Sequence, residues 1–294
     1  MVTRPVAQQD RRAPRTDRTS KPRGRRAKKL IVVLVVLAGL LVGADFGLAA
    51  FAEHTISQKA RAQLGLADDP SVSIHGFPFT TQALSGDYSQ ISVSAAGVRV
   101  AKLSDVELSA ELKNVTAPLS ELLAGNTKAI KIGTLQGAVT IKASDIARIS
   151  PLDKVEDLKI EPSTQEYVTT GKDTMTDAQR KADAQLDKPQ AGIRLSGYVQ
   201  IAGQKVEIFC FAMIEVKDKA ISITPHRLQF GNDKATTVVP REVQKALLPS
   251  FETRIDGGQL PFNVQPTAIR VNSGSVTLKG EAKDVTFSGA SLKG

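Results

Sequence analysis

Three histidines and one cysteine are the side chains of this 294-residue chain best suited to acid–base or nucleophilic chemistry. His54, His75 and His226 lie far apart, and no pair has the spacing of a metal site; H-E-x-x-H and C-x-x-C are both missing. There is no G-x-S-x-G elbow and no phosphate-binding P-loop. Cys210 sits inside the apolar run VEIFCFAMIEV, where a thiol behaves as a small hydrophobe. Carboxylates are scattered singly along polar strand faces, and Asp68-Asp69 before Pro70 fit a turn. The expectation is a chain with no catalytic residue, no metal and no cofactor. A hydrolase would instead need His75 or His226 within about 3 Å of a serine or carboxylate in a pocket.

What stands out is apolar. His75-Gly76-Phe77-Pro78-Phe79 forms a compact turn in a chain with only 4% aromatic residues. Alternating runs at Ser71–Ile74 and Ile91–Val100 flank it. Phe77 and Phe79 read either as plugs at a strand–helix corner or as the lining of an apolar cavity. His75 reads as a turn residue.

The elements that must hold this turn are mostly strands. Ile56, Ala60 and Leu64 recur every four residues and make one apolar helical stripe ending at Gly65. Val106–Leu112 and Ile130–Lys142 alternate as strands do. TAPLSELLAG, ASDIARIS and PREVQKALL read as short helices. GIRLSGYVQIAGQKVEIFCFAMIEV reads as a hairpin turning at Ala202-Gly203-Gln204. In its return strand Val206 to Val216 present one unbroken apolar face, and Phe209, Phe211 and Met213 make the opposite face apolar at its middle. Such a strand is covered on both sides centrally. Residues 163–189 carry few core-forming side chains and a capping-box pattern, Thr176-x-x-Gln179, which predicts a polar helical excursion rather than a second domain. The fold class is α+β: an N-terminal helix, eight or more antiparallel strands and short connecting helices. Leu260-Pro261-Phe262 echoes Phe77-Pro78-Phe79 ahead of the closing strands.

Charge and hydropathy locate the protein. Residues 1–29 hold eleven Lys or Arg against Asp10 and Asp17, which accounts for the whole net charge of +9. The rest is balanced at 28 basic against 28 acidic residues, so the body has no long-range attraction for nucleic acid. Residues 30–44 are apolar throughout; Asp45 interrupts, and apolar character resumes to Ala52. That length can cross a bilayer, and the basic tail orients it with residues 1–29 cytoplasmic and residues 53–294 outside. Ala50-Phe51-Ala52 also fits a signal-peptidase site, so 30–52 reads as a retained anchor or a cleaved signal. The tail composition predicts disorder.

The stretch from Val72 to Val98 resembles the signature of the LmeA-like phospholipid-binding family of actinobacterial envelope proteins, formerly a domain of unknown function. The residues that carry the likeness are Gly76, Phe77, Pro78, Phe79, Thr81, Gln82, Leu84, Gly86 and Tyr88. The closing LPFNVQPTAIRVNSGSVTLKGEAKDV is similar to the family's final strands, so the likeness covers roughly residues 45–288. It implies a curved antiparallel sheet wrapped around a long N-terminal helix, as in tubular lipid-binding domains, and a phospholipid or other acyl lipid as partner. Under it, Phe77, Phe79, Leu84, Phe209, Phe211 and Phe262 are the candidate lipid-binding residues. The physical reason for a protein slot is plain: an acyl chain of about 16 carbons leaving a bilayer unassisted loses about 13 kcal/mol. A structural or adaptor module docking an envelope protein, and an envelope lipid hydrolase, are the competing readings.

Overall fold

The computed structural model describes residues 24–100, 103–126, 130–201, 203–217, 220–231, 237–256 and 265–286. It opens on one helix, α1 (Gly24–Leu64). With no proline between Leu30 and Leu64, the apolar segment and the helical stripe behind it form a single element. The chain divides into two units after Ala44. In the first, the side chains from Ile31 onward are exposed, and α1 is the one helix among the described residues long and apolar enough to cross a membrane.

The second unit, from Asp45, is α+β, as predicted. After α1 come β1 (Ser71–His75), α2 (Phe79–Ser85), β2 (Asp87–Val100), β3 (Leu103–Thr116), α3 (Leu119–Ala124), β4 (Lys131–Lys142) and α4 (Ala143–Ile146). They are followed by β5 (Glu156–Ser163), α5 (Gln165–Thr170), α6 (Asp177–Ala184), β6 (Gln190–Ile201), β7 (Gln204–Lys217) and β8 (Ala220–Phe230). The remainder is β9 (Thr237–Val238), α7 (Arg241–Leu247), β10 (Thr253–Asp256), β11 (Gln265–Asn272) and β12 (Ser275–Thr286). The predicted hairpin turn holds: Ile201 pairs with Gln204, and Gly203 supplies the positive φ of 79° that the tight reversal needs.

The strands divide between two antiparallel sheets. One has the order β1-β2-β3-β4-β12-β11; the other runs β10-β8-β7-β6-β5, with β9 beside β8. The last hairpin thus returns to pair with β4, and the second sheet is built from the chain in between. One face of the first sheet is apolar along its length and is covered in two places. At one end Val106, Ile141, Val276 and Leu278 share a core with Ile193, Leu195, Cys210 and Ile214 of the second sheet. At the other end Val72, Ile74, Ile91 and Leu135 pack with Ala52 of α1, Phe79 of α2 and Leu122 of α3.

The other face of β7 is also covered, as its double apolar character predicts. Phe209 and Phe211 lie under Val168 of α5, which is fully buried, with Tyr167 and Met213 alongside. The segment 163–189 therefore has two parts. Its α6 buries nothing and carries the expected capping box of Thr176 and Gln179. Its α5 supplies a roof, with Thr164 capping the helix through the Tyr167 N–H.

Asp145 ties α4 to β3. It is 1% exposed and accepts the backbone N–H groups of Ser104 and Asp105, at 3.0 and 2.8 Å, and the Ser104 hydroxyl. Burial alone would raise its pKa; the hydrogen bonds from Asp105 and Ser104 outweigh that and hold it below the ordinary carboxylate range.

Candidate functional site

The Phe-Pro-Phe turn stands where β1 hands over to α2. Pro78 follows a cis peptide bond and sits at the N-cap of α2. Proline has no side-chain acceptor, so the first amides of α2 must find one elsewhere. Asp45 of α1 supplies it. Its carboxylate accepts from Phe79 N–H and Thr80 N–H, each at 2.8 Å. Asp45 is accordingly 6% exposed despite lying in an apolar stretch.

The same helix closes the edge of the sheet. β1 is an edge strand, whose outer backbone groups need partners. Glu53 accepts from Ile74 N–H at 2.6 Å, and the Ser57 hydroxyl donates to the Pro70 carbonyl. Ala49, Ala52 and Ile56 of α1 pack into the cluster beneath. Residues 45–52, read from sequence as the outer end of the anchor, thus contribute a cap and core packing to the body.

The other signature residues stitch the corner. Gln82 accepts from Ser89 N–H and donates to the His75 carbonyl, and Thr81 Oγ1 donates to the Pro78 carbonyl. Gly86 ends α2 in the left-handed region at φ 75°, and a Cβ there would lie 3.1 Å from the Ala117 carbonyl oxygen.

The candidate lipid-binding residues fall into separate places. Phe79 is 4% exposed and belongs to the helix-covered cluster. Phe77 is 60% exposed and stacks on Phe46 of α1, which is 63% exposed, with ring centroids 6.0 Å apart. Leu84 is 90% exposed. Phe46 and Phe77 thus make an exposed apolar pair beside the buried Phe79, and Leu84 stands exposed near the other end of α2. Phe209 and Phe211 are elsewhere, on the α5-covered face of β7. They line a pocket of about 370 Å³ with Tyr167 and Arg194. Tyr167 meets Phe211 edge-on at 5.0 Å, and Arg227 lies 4.6 Å from the centroid of each of those two rings. Phe262, with Leu260 and Pro261, lies outside the described residues.

Tyr88, another of the signature residues, has a feature that sequence does not show. It is 1% exposed, and its hydroxyl finds no partner among the described residues. Leaving such a donor unpaired costs about 1–3 kcal/mol.

The polar face of the first sheet holds a groove of about 500 Å³. Register sets Ser73, Ser92, Glu111, Gln136 and Glu281 in one row, and Ser71, Ser94, Ser109, Ala138 and Lys279 in the next. His75 Nε2 lies 2.9 Å from Ser92 Oγ at the margin of this face. That meets the distance set for a hydrolase. Both side chains project from paired strands, and among the described residues no carboxylate is hydrogen-bonded to His75. His226 lines a different pocket, with Glu166 and Glu215. Cys210 is fully buried, which pushes its thiol pKa far up and leaves it unreactive. Among the described residues no cluster of His, Cys, Asp and Glu is arranged to hold a metal ion.

A family model described as LmeA-like phospholipid-binding matches residues 43–281, most of the chain and all of the corner described above. No curated protein matches, and no solved structure does.

Proposed function

The chain belongs to the LmeA-like phospholipid-binding family, and from that premise we propose that it is a membrane-anchored, non-enzymatic protein that binds phospholipid outside the membrane and serves cell-envelope lipid or lipoglycan handling. One acyl chain lies between the 45–64 segment of α1 and the first sheet, Phe77 and Leu84 flank its mouth, and the head group stays in water. The observation that carries this is the corner itself. Phe46 and Phe77 stack in the open beside a turn whose next aromatic, Phe79, is a buried plug in the helix–sheet cluster, and Leu84 is exposed farther along α2. The turn thus sets an exposed aromatic, Phe77, two residues from a buried one, Phe79.

Two observations support retention of the anchor. Cleavage after Ala52 would remove Asp45, and with it the acceptor for α2, together with Ala49 and Ala52 from the core. The family match begins at residue 43, ahead of that cleavage site.

The test is uptake of a fluorescent phospholipid by the full chain in detergent micelles. Phe77→Ala with Leu84→Ala is expected to slow uptake several-fold while leaving the melting temperature unchanged, because both side chains are exposed. Uptake at the wild-type rate would overturn the placement of the mouth. Phe209→Ala in the same assay reads whether the α5-covered pocket takes up lipid independently. A second reading, a lipid hydrolase, draws on the His75–Ser92 contact. It requires release of fatty acid by the wild type that Ser92→Ala abolishes.

A further inference from the structure

Tyr88 belongs to β2 at the helix-covered end of the first sheet. Its side chain is buried with Ala52, Phe79, Val115, Leu122 and Ile132, all hydrocarbon. Its Oη is the only polar side-chain atom these six residues offer, and it has no partner among the described residues. Burial pushes the phenol pKa up, so the group stays an O–H donor at any working pH. A phenylalanine would fill nearly the same volume and leave nothing unpaired. A buried water wants two to four polar partners, and the other side chains of this cluster provide none.

A lone donor in hydrocarbon suits an acceptor that arrives with its own hydrocarbon. An acyl ester does this: its carbonyl oxygen accepts, it has no donor of its own, and it is joined directly to the chain. A phosphate oxygen suits the setting less, because its charge would have to leave water. We propose that Tyr88 Oη donates a hydrogen bond to the ester carbonyl of a phospholipid whose chain enters between α1 and the first sheet, and that Phe79 fills that space until the lipid arrives. The inference rests on the phospholipid reading above and adds the atom that recognises the ligand.

Phe79 sits on a short helix bounded by two glycines. α2 is seven residues long and lies between Gly76 and Gly86, whose φ values are 108° and 75°. Phe79 is the one residue of α2 that is buried, and Asp45 holds the helix at its first turn.

The experiment compares two lipids on the delipidated full chain in detergent: a diacyl phosphatidylglycerol, and its dialkyl-ether analogue with the same chains and head group but no carbonyl. Wild type is expected to bind the ester about 3–10-fold more tightly, the range of one neutral hydrogen bond. Tyr88→Phe is expected to bind both lipids alike, at the affinity wild type has for the ether, and to melt no lower than wild type. Equal affinities in the wild type, an ester preference that survives in Tyr88→Phe, or equal losses for both lipids would each overturn the assignment. Wild type that takes up neither lipid would sink the phospholipid reading itself, so the two failures are distinct.

Discussion

At the scale of single residues, two buried carboxylates join segments distant in sequence. Asp45 is the one charged group in the apolar stretch of α1, and in the fold it is the missing N-cap of a helix whose own N-cap residue is proline. Asp45→Ala should therefore destabilise the body by about 1–2 kcal/mol, the usual worth of a cap, seen as a lower melting temperature in detergent. Asp45→Asn, which keeps one acceptor oxygen, should fall between. No change in either would mean that the cap carries no stability. Asp145 makes a pH prediction. Its pKa is lower in the folded state than in the unfolded chain, where it is about 3.9. Its stabilisation is thus fully present above that unfolded value and is lost as pH falls through the folded one. Urea midpoints measured from pH 7 down to pH 3 should fall more steeply for wild type than for Asp145→Asn. Parallel curves would contradict the assignment.

Secondary elements differ in how far the sequence announced them. The long strands alternate cleanly, and the α2 corner carries its own punctuation in Gly76, Pro78 and Gly86. The Thr176–Gln179 box formed as its spacing indicates, because capping is local. β5 was illegible: Leu158 and Ile160 are its only buried side chains, and Pro162 follows. It is an edge strand, where proline is tolerated, and pairing with β6 rather than local pattern makes it a strand. The role of α5 was equally hidden. Val168 lies among polar neighbours in sequence, yet it is fully buried over Phe209 and Phe211. Val168→Ala should cost about 1–2 kcal/mol by leaving a void, whereas Ala182→Ser on the unburied α6 should be nearly neutral. Equal melting temperatures for wild type and Val168→Ala would show that α5 is not packed as a roof.

On the scale of the whole molecule, the sequence conveyed the class, the candidate membrane helix and the family likeness, but not the division of strands into two sheets. Register between distant segments decides that, as where β12 returns to pair with β4. Asp45 is the same lesson at a boundary: its partners lie 34 and 35 residues away, beyond any local pattern. A retained anchor predicts that the mature protein begins ahead of Asp45 and stays with the membrane after alkaline carbonate extraction. A soluble product starting at Glu53 would contradict it. The central claim, that this body takes up a phospholipid, is tested most directly by native mass spectrometry of the delipidated full chain released from detergent after incubation with phospholipid. The expected result is a mass increase of one phospholipid that survives gentle activation. A folded protein that stays at its apo mass at saturating lipid would contradict the account, and would leave the exposed Phe46–Phe77 pair as a surface for docking protein instead.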